Sequence, residues 1–160
     1  MMLWRVVVLG LLGAWVGAML FFGAVVAPAA FQALPARELA GSVVARILPK
    51  LTAAGIVVAA VVAGSALLQA LLRRGAGAWM ARTGIAVLAL ALLFGSVWVS
   101  QRMEGVRMDM GGVDQVAESH PLRLEFGRLH RVSVRLYGGT LLLALALFCL
   151  EARGLIRLRP

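Results

Sequence analysis

Acidic residues are scarce in this chain of 160 residues, which has seven of them against sixteen basic residues. None of the seven lies inside the long apolar runs described below. Ion-coupled transporters and proton relays commonly carry a carboxylate within the membrane, so its absence argues against both classes. The single cysteine, Cys149, excludes an intrachain disulfide.

Familiar catalytic motifs are also missing from the chain. It contains no HExxH, CxxC, GxSxG or GxGxxG pattern and no glycine-rich phosphate loop. His130 and Ser133 are one helical turn apart, but no neighbouring residue marks a nucleophile. We therefore expect a protein that is not an enzyme, with no catalytic residues and no cofactor.

Apolar residues, by contrast, are abundant. They form 62% of the chain, charged residues form 14%, and the mean hydropathy is +0.94. A domain of this size buries only about two-thirds of its surface, so much of this apolar excess would face water in a soluble fold. The composition predicts an integral membrane protein whose main partner is the lipid bilayer.

The apolar residues are concentrated in four continuous runs. Each run has 19 to 24 residues, at positions 3–26, 51–72, 79–99 and 132–150. A helix needs about 20 apolar residues to cross a bilayer. Because the runs are continuous rather than alternating, they indicate helices and not barrel strands. We predict an all-α, integral membrane four-helix bundle that forms a single membrane domain over residues 1–160.

The connection between the first two runs has its own helical pattern. Leu39, Val43 and Ile47 recur every four residues between Pro35 and Pro49. This spacing predicts an amphipathic helix over about residues 36–48, bounded by the two prolines and lying along the membrane surface.

The connection before the last run, residues 100–120, is polar and is predicted to be an outer loop. Gly111 and Gly112 indicate a turn. Pro121 suits the first position of a helix, so the last helix is expected to begin there, well before its apolar part.

The distribution of basic residues bears on orientation. Four crossings place both termini on one side, and Arg73, Arg74 and Arg82 flank a short connection without acids. By the positive-inside rule this favours cytoplasmic termini. Fifteen of the sixteen basic residues are arginine, which is typical of a prokaryote with GC-rich DNA and so suggests an inner membrane. No basic run is interleaved with aromatic residues, so nucleic-acid binding is not expected.

Small residues recur at helical spacing within the runs. They are Gly13 and Gly17 in the first run, Gly55, Ala59 and Ala63 in the second, and Ala91 and Gly95 in the third. This spacing lets helix backbones approach closely in lipid. It predicts helix packing inside the bundle or, alternatively, a homo-oligomer face.

Polar side chains follow one side of the last helix. His130, Ser133, Tyr137 and Thr140 fall within a narrow arc at 100° per residue. This polar seam is costly against lipid, so it is predicted to face the bundle interior. It would then form interhelical hydrogen bonds or, alternatively, a ligand or ion site at the outer mouth in which His130 titrates or coordinates.

The outer loop contains candidate ligands for a soft metal ion. Met108, Met110 and His120 offer thioethers and an imidazole, which suit ions such as Cu(I). Asp109 and Glu118 nearby would favour hard ions instead, so the set is unselective.

Several short motifs resemble those of a known membrane family. The most specific is Phe126-Gly127-Arg128-Leu129-His130-x-x-Ser133. The others are Trp15-Val16-Gly17, Phe21-Phe22, Val26-Ala27-Pro28, the segment from Phe31 to Leu34, and Ile47-Leu48-Pro49.

Together these motifs resemble the four-helix membrane family of unknown function that includes transmembrane protein 205. That family usually has an asparagine four residues after the serine, where this chain has Tyr137. The resemblance implies a four-helix membrane domain and, by association, handling of metals or drugs in some members.

The leading functional interpretation is a non-enzymatic integral membrane protein that acts as a binding or accessory subunit, for example of a larger membrane complex. Its partner would be another membrane protein or a second copy of the chain. The alternative is a small transporter or a metal- or drug-handling protein with a site near the outer end of the last helix.

Overall fold

The computed structural model describes residues 2–72 and 77–156, and every regular element in these ranges is helical, as predicted. The elements in chain order are α1 (Met2–Phe21), a π-helical turn (Phe22–Val26), α2 (Ala27–Ala33), α3 (Arg37–Leu72), α4 (Gly77–Asp109), a 3-10 turn (Val113–Gln115) and α5 (Pro121–Ile156).

Four segments are long and apolar enough to cross a membrane, which indicates a multi-pass membrane protein. They are Leu3–Ala33, Arg37–Leu72, Gly77–Asp109 and Pro121–Gly154. Each has 31 to 36 residues. Because about 20 residues suffice to cross the hydrocarbon, the helix ends extend beyond it or the helices tilt.

The four long helices form a closed, antiparallel bundle. Helix α1 contacts α3 and α5, and α4 contacts the same two helices. The start of α4 lies beside the end of α5, where Arg82 bonds to Leu150. Leu12 and Leu147 are fully buried in the core, and Ala86, Ala89 and Ala144 are buried where backbones approach closely.

The separate interfacial helix predicted over residues 36–48 is not present. These residues are the first part of α3, which continues through Pro49 to Leu72. Pro35 precedes the helix, but Pro49 does not end it, since membrane helices tolerate proline where neighbouring groups compensate for the lost backbone bond. The prediction was wrong because it treated both prolines as helix boundaries.

The outer loop is also shorter than predicted. Helix α4 continues to Asp109, because Val99, Val106 and Met110 repeat at helical spacing and are buried. The predicted turn is present, with positive φ at Gly111 and Gly112. A Cβ atom at position 112 would lie 2.8 Å from Oε1 of Glu38, so this glycine also permits the close approach of α3.

The last helix begins at Pro121, as its position in the sequence predicts. Both described chain ends lie at one end of the bundle, where Arg5 bonds to the carbonyl of Gly154. Two of the three arginines on which the predicted orientation rests, Arg73 and Arg74, lie outside the described residues.

The predicted packing residues occupy different environments. Gly55 and Ala59 are buried, Gly13 lies against Phe148, and Gly95 lies near Leu136. Ala63 is half-buried. Gly17 and Ala91 are exposed on the outer surface of the bundle, and nothing lies within 4 Å of a Cβ atom placed at Gly17.

Candidate functional site

A buried ion pair joins α4 and α5 near the end of the bundle that carries the chain termini. Nη1 of Arg82 lies 3.2 Å from Oε1 of Glu151, and the two side chains are only 11% and 6% exposed. Nη2 of Arg82 donates to the carbonyl of Leu150 at 2.8 Å. Glu151 thus balances the charge of Arg82, and the hydrogen bond of the guanidinium goes to the backbone of α5.

Aromatic and backbone contacts extend this pair to α1. The guanidinium groups of Arg5 and Arg82 lie 5.1 Å and 4.3 Å from the centre of the Trp79 ring. Nη1 of Arg5 donates to the carbonyl of Gly154 at 3.1 Å. A Cβ atom at position 154 would lie 2.7 Å from Nη2 of Arg5, so a larger residue there would displace the guanidinium. We call Arg5, Trp79, Arg82 and Glu151 the charged cluster.

The sequence interpretation missed the charged cluster. In the sequence, Glu151 directly follows the last apolar run and so lies outside it. Arg82 lies close to the start of the third run and so reads as a flanking charge. The available signal was topological: in antiparallel helices the start of α4 must meet the end of α5. The pair of Arg82 and Glu151 therefore links α4 to α5, and Arg5 links α1 to the same end of α5.

A second polar region lies inside the bundle. It is a cavity of about 20 Å³ to which all four long helices contribute. Its lining residues are Trp15, Met19, Leu48, Leu51, Thr52, Leu93, Ser96, Ser133, Tyr137 and Thr140. Three of the four residues of the predicted polar seam, Ser133, Tyr137 and Thr140, therefore line one internal space. His130 does not line it and is exposed.

Several hydroxyl groups of the cavity donate to backbone carbonyls. Thr52 donates to Leu48 at 2.9 Å, and Ser96 donates to Leu92 at 3.0 Å. These bonds stay within a single helix. They satisfy the hydroxyl hydrogens and leave oxygen lone pairs available to the cavity.

The Tyr137 hydroxyl joins α5 to α1. It donates to the carbonyl of Met19, beside the π-helical turn at Phe22–Val26. A π turn shifts the helix to bonds between residues five apart, as in the bond from Ala27 N–H to the Phe22 carbonyl. Such turns change the pairing of nearby carbonyls and are frequent at functional sites.

Two polar atoms that belong to residues lining the cavity have no hydrogen-bond partner. They are Nε1 of Trp15 and Oγ1 of Thr140, in residues that are 4% and 1% exposed. The Trp15 ring fits because position 55 is glycine, where a Cβ atom would overlap the indole. In the sequence analysis, Trp15 is named only as part of a family motif and is not placed in a site.

The residues predicted to bind a soft metal ion have different surroundings. The side chain of Met108 is exposed and that of Met110 is buried. Nδ1 of His120 accepts the N–H of Leu122 at 3.3 Å, at the start of α5. Among the residues that the structure describes, no three His, Cys, Asp or Glu side chains are grouped to hold a metal ion.

One family model matches the chain. It is described as Domain of unknown function (DUF4149), and it covers residues 10–111, which is more than half of the chain. The match includes most of α1 and all of α2, α3 and α4, and it ends before α5. The motif from Phe126 to Ser133 and all four seam residues therefore lie outside it. No curated protein and no solved structure matches the chain significantly.

Proposed function

Because the chain belongs to the DUF4149 family, whose domain has no known function, we propose that it is a non-enzymatic membrane protein acting as a binding or accessory subunit. Two features support this proposal. Arg82 and Glu151 of the charged cluster pair with each other, and the cavity between the four helices, about 20 Å³, is far smaller than the roughly 300–1,000 Å³ of ordinary ligand pockets. Among the described residues, a larger cleft of about 490 Å³ beside Trp4, Arg5 and Gln69 is lined by no His, Cys, Asp or Glu side chain.

The observation that carries the proposal is the open surface of α1. Gly10, Ala14 and Gly17 are exposed, and nothing lies within 4 Å of a Cβ atom placed at either glycine. Small residues on a lipid-facing helix let a second helix backbone approach closely. We propose that another membrane protein, or a second copy of this chain, packs on this surface.

Purification in mild detergent tests this proposal. We expect the wild-type protein to elute with a stoichiometric partner or as an oligomer of defined mass. The double variant Gly10→Leu/Gly17→Leu should lose that assembly, because two large side chains then cover the surface.

Gly84→Leu is the matched control, since Gly84 is equally open but lies on α4. It should retain the assembly. A wild-type protein that is only a monomer, or an assembly that survives the double substitution on α1, would contradict the proposal.

The alternative function is a small transporter or a metal- or drug-handling protein. The observation in its favour is that Ser133, Tyr137 and Thr140 line one internal cavity. Such a role requires the cavity to open in a second conformation. The alternative would be favoured if added Cu(I) raises the melting temperature of a monomeric protein. That rise should disappear after Met108→Leu and Met110→Leu.

We further propose a prokaryotic inner membrane location with cytoplasmic termini. The support is Arg5, Arg82 and Arg153, which lie at the end of the bundle that carries the termini. The relation to the family of transmembrane protein 205 is likewise a proposal, and it rests on the motif from Phe126 to Ser133.

A further inference from the structure

We propose that the internal cavity is a binding site for one water molecule, held by Trp15 and Thr140 and joining α1 to α5. The size of the cavity is the first argument. A water molecule needs roughly 10–15 Å³ of space measured in this way, and the cavity offers about 20 Å³. One water fits, and a larger ligand does not.

The unpartnered polar atoms are the second argument. Nε1 of Trp15 and Oγ1 of Thr140 are both buried, and both residues line this one cavity. A buried polar group without a partner destabilises the folded state, so native proteins rarely retain two at one site. A single bound molecule that contacts both atoms removes both penalties.

The balance of donors and acceptors identifies the chemistry of the ligand. The indole N–H of Trp15 can only donate, so it disfavours a cation. The hydroxyls of Thr52, Ser96 and Tyr137 already donate to backbone carbonyls, so they present lone pairs, which disfavour an anion. The site requires a small neutral molecule that both accepts and donates, and water meets that requirement.

The direction in which one nearly isosteric substitution changes the melting temperature tests this proposal. In Thr140→Val a methyl group replaces the hydroxyl at nearly constant volume. If a water is bound, the variant loses a hydrogen bond to it, and the melting temperature in detergent should fall by about 2–4 °C. If the cavity is dry, the variant removes an unpaired polar group, and the melting temperature should stay constant or rise.

Thr83→Val is the matched control. Thr83 lies on α4 away from the cavity, and its hydroxyl donates to the carbonyl of Trp79 in its own helix. The melting temperature of the Thr83→Val variant should differ less from that of the wild-type protein than the melting temperature of Thr140→Val does. An equal or smaller loss in Thr140→Val overturns the proposal.

A measurement on the unaltered protein keeps the test independent of any variant's folding. In micelles, NMR should show magnetisation transfer between water and the indole N–H of Trp15, whose signal is identified by its loss in Trp15→Phe. A Trp15 indole signal without transfer from water would exclude the bound molecule.

Discussion

At the scale of single residues, the buried pair between Arg82 and Glu151 is the most informative feature of the protein. It buries a carboxylate between two candidate membrane spans of a chain whose apolar runs contain none. The pair is stable because the Leu150 carbonyl and the Trp79 ring occupy other sides of the Arg82 guanidinium.

Loss of the carboxylate charge should therefore destabilise the protein strongly. In Glu151→Gln the Arg82 charge stays buried without its counter-ion, and we expect a loss of about 3–5 kcal/mol in unfolding free energy. Reversible unfolding in mixed micelles measures this loss. Glu125→Gln is the control, because its pair with Arg102 is exposed and should contribute at most about 1 kcal/mol. If the two substitutions lower the unfolding free energy equally, the buried pair of Arg82 and Glu151 does not stabilise the bundle as proposed.

Gly55 is a second residue whose role depends on the tertiary structure. Gly55→Ala should destabilise the bundle by about 1–3 kcal/mol, because the new Cβ atom overlaps the Trp15 indole. The measurement is the midpoint of thermal unfolding in detergent. Gly64→Ala, on the same helix with open space around it, should be neutral or slightly stabilising. A neutral Gly55→Ala would mean that Trp15 does not pack there.

At the scale of elements, α3 differs most from the sequence interpretation. Leu39, Val43 and Ile47 repeat as an apolar stripe, which predicted a surface helix that buries this face in the membrane. In the structure the stripe is exposed, and α3 packs into the bundle through Ala40 on the neighbouring face. Periodicity identified a helix correctly but did not identify its packed face or its end.

The continuity of α3 can be measured with spin labels at Leu39 and Leu68, both exposed, after Cys149→Ser removes the native thiol. At 1.5 Å per residue, an unbroken helix separates the two Cα atoms by about 44 Å, whereas a right-angle break at Pro49 gives about 32 Å. We expect the longer distance.

A pair at Ala53 and Leu68 is the control, since both lie after Pro49 and should be about 22 Å apart in either arrangement. If the distance between positions 39 and 68 is short while the control distance is unchanged, the result would support a separate interfacial helix before Pro49.

At the scale of the whole molecule, the apolar excess is accounted for by four long helices with largely exposed surfaces. Within the most apolar window of each span, only 17% to 33% of residues are buried inside the bundle. So thin a core leaves most apolar side chains to contact lipid or partner helices. The whole molecule therefore has ample outer surface for the proposed assembly.

Orientation is also a property of the whole molecule, and cysteine labelling in intact cells tests it. On the Cys149→Ser background, Ser119→Cys lies in the connection before α5, and Ala78→Cys lies at the start of α4. With cytoplasmic termini, a membrane-impermeant maleimide should label position 119 in intact cells and position 78 only after permeabilisation. The reverse pattern would place the termini outside.

The order of the amino acids was enough to predict a membrane protein, the number of its long helices and the start of the last one at Pro121. These follow from composition, run length and local backbone chemistry, which act along the chain. Three features became visible only in the packed bundle: Glu151 is buried against Arg82, Trp15 and Thr140 line one cavity, and α3 continues through Pro49. Those outcomes depend on which helix faces meet, and contacts between residues far apart in the chain set them.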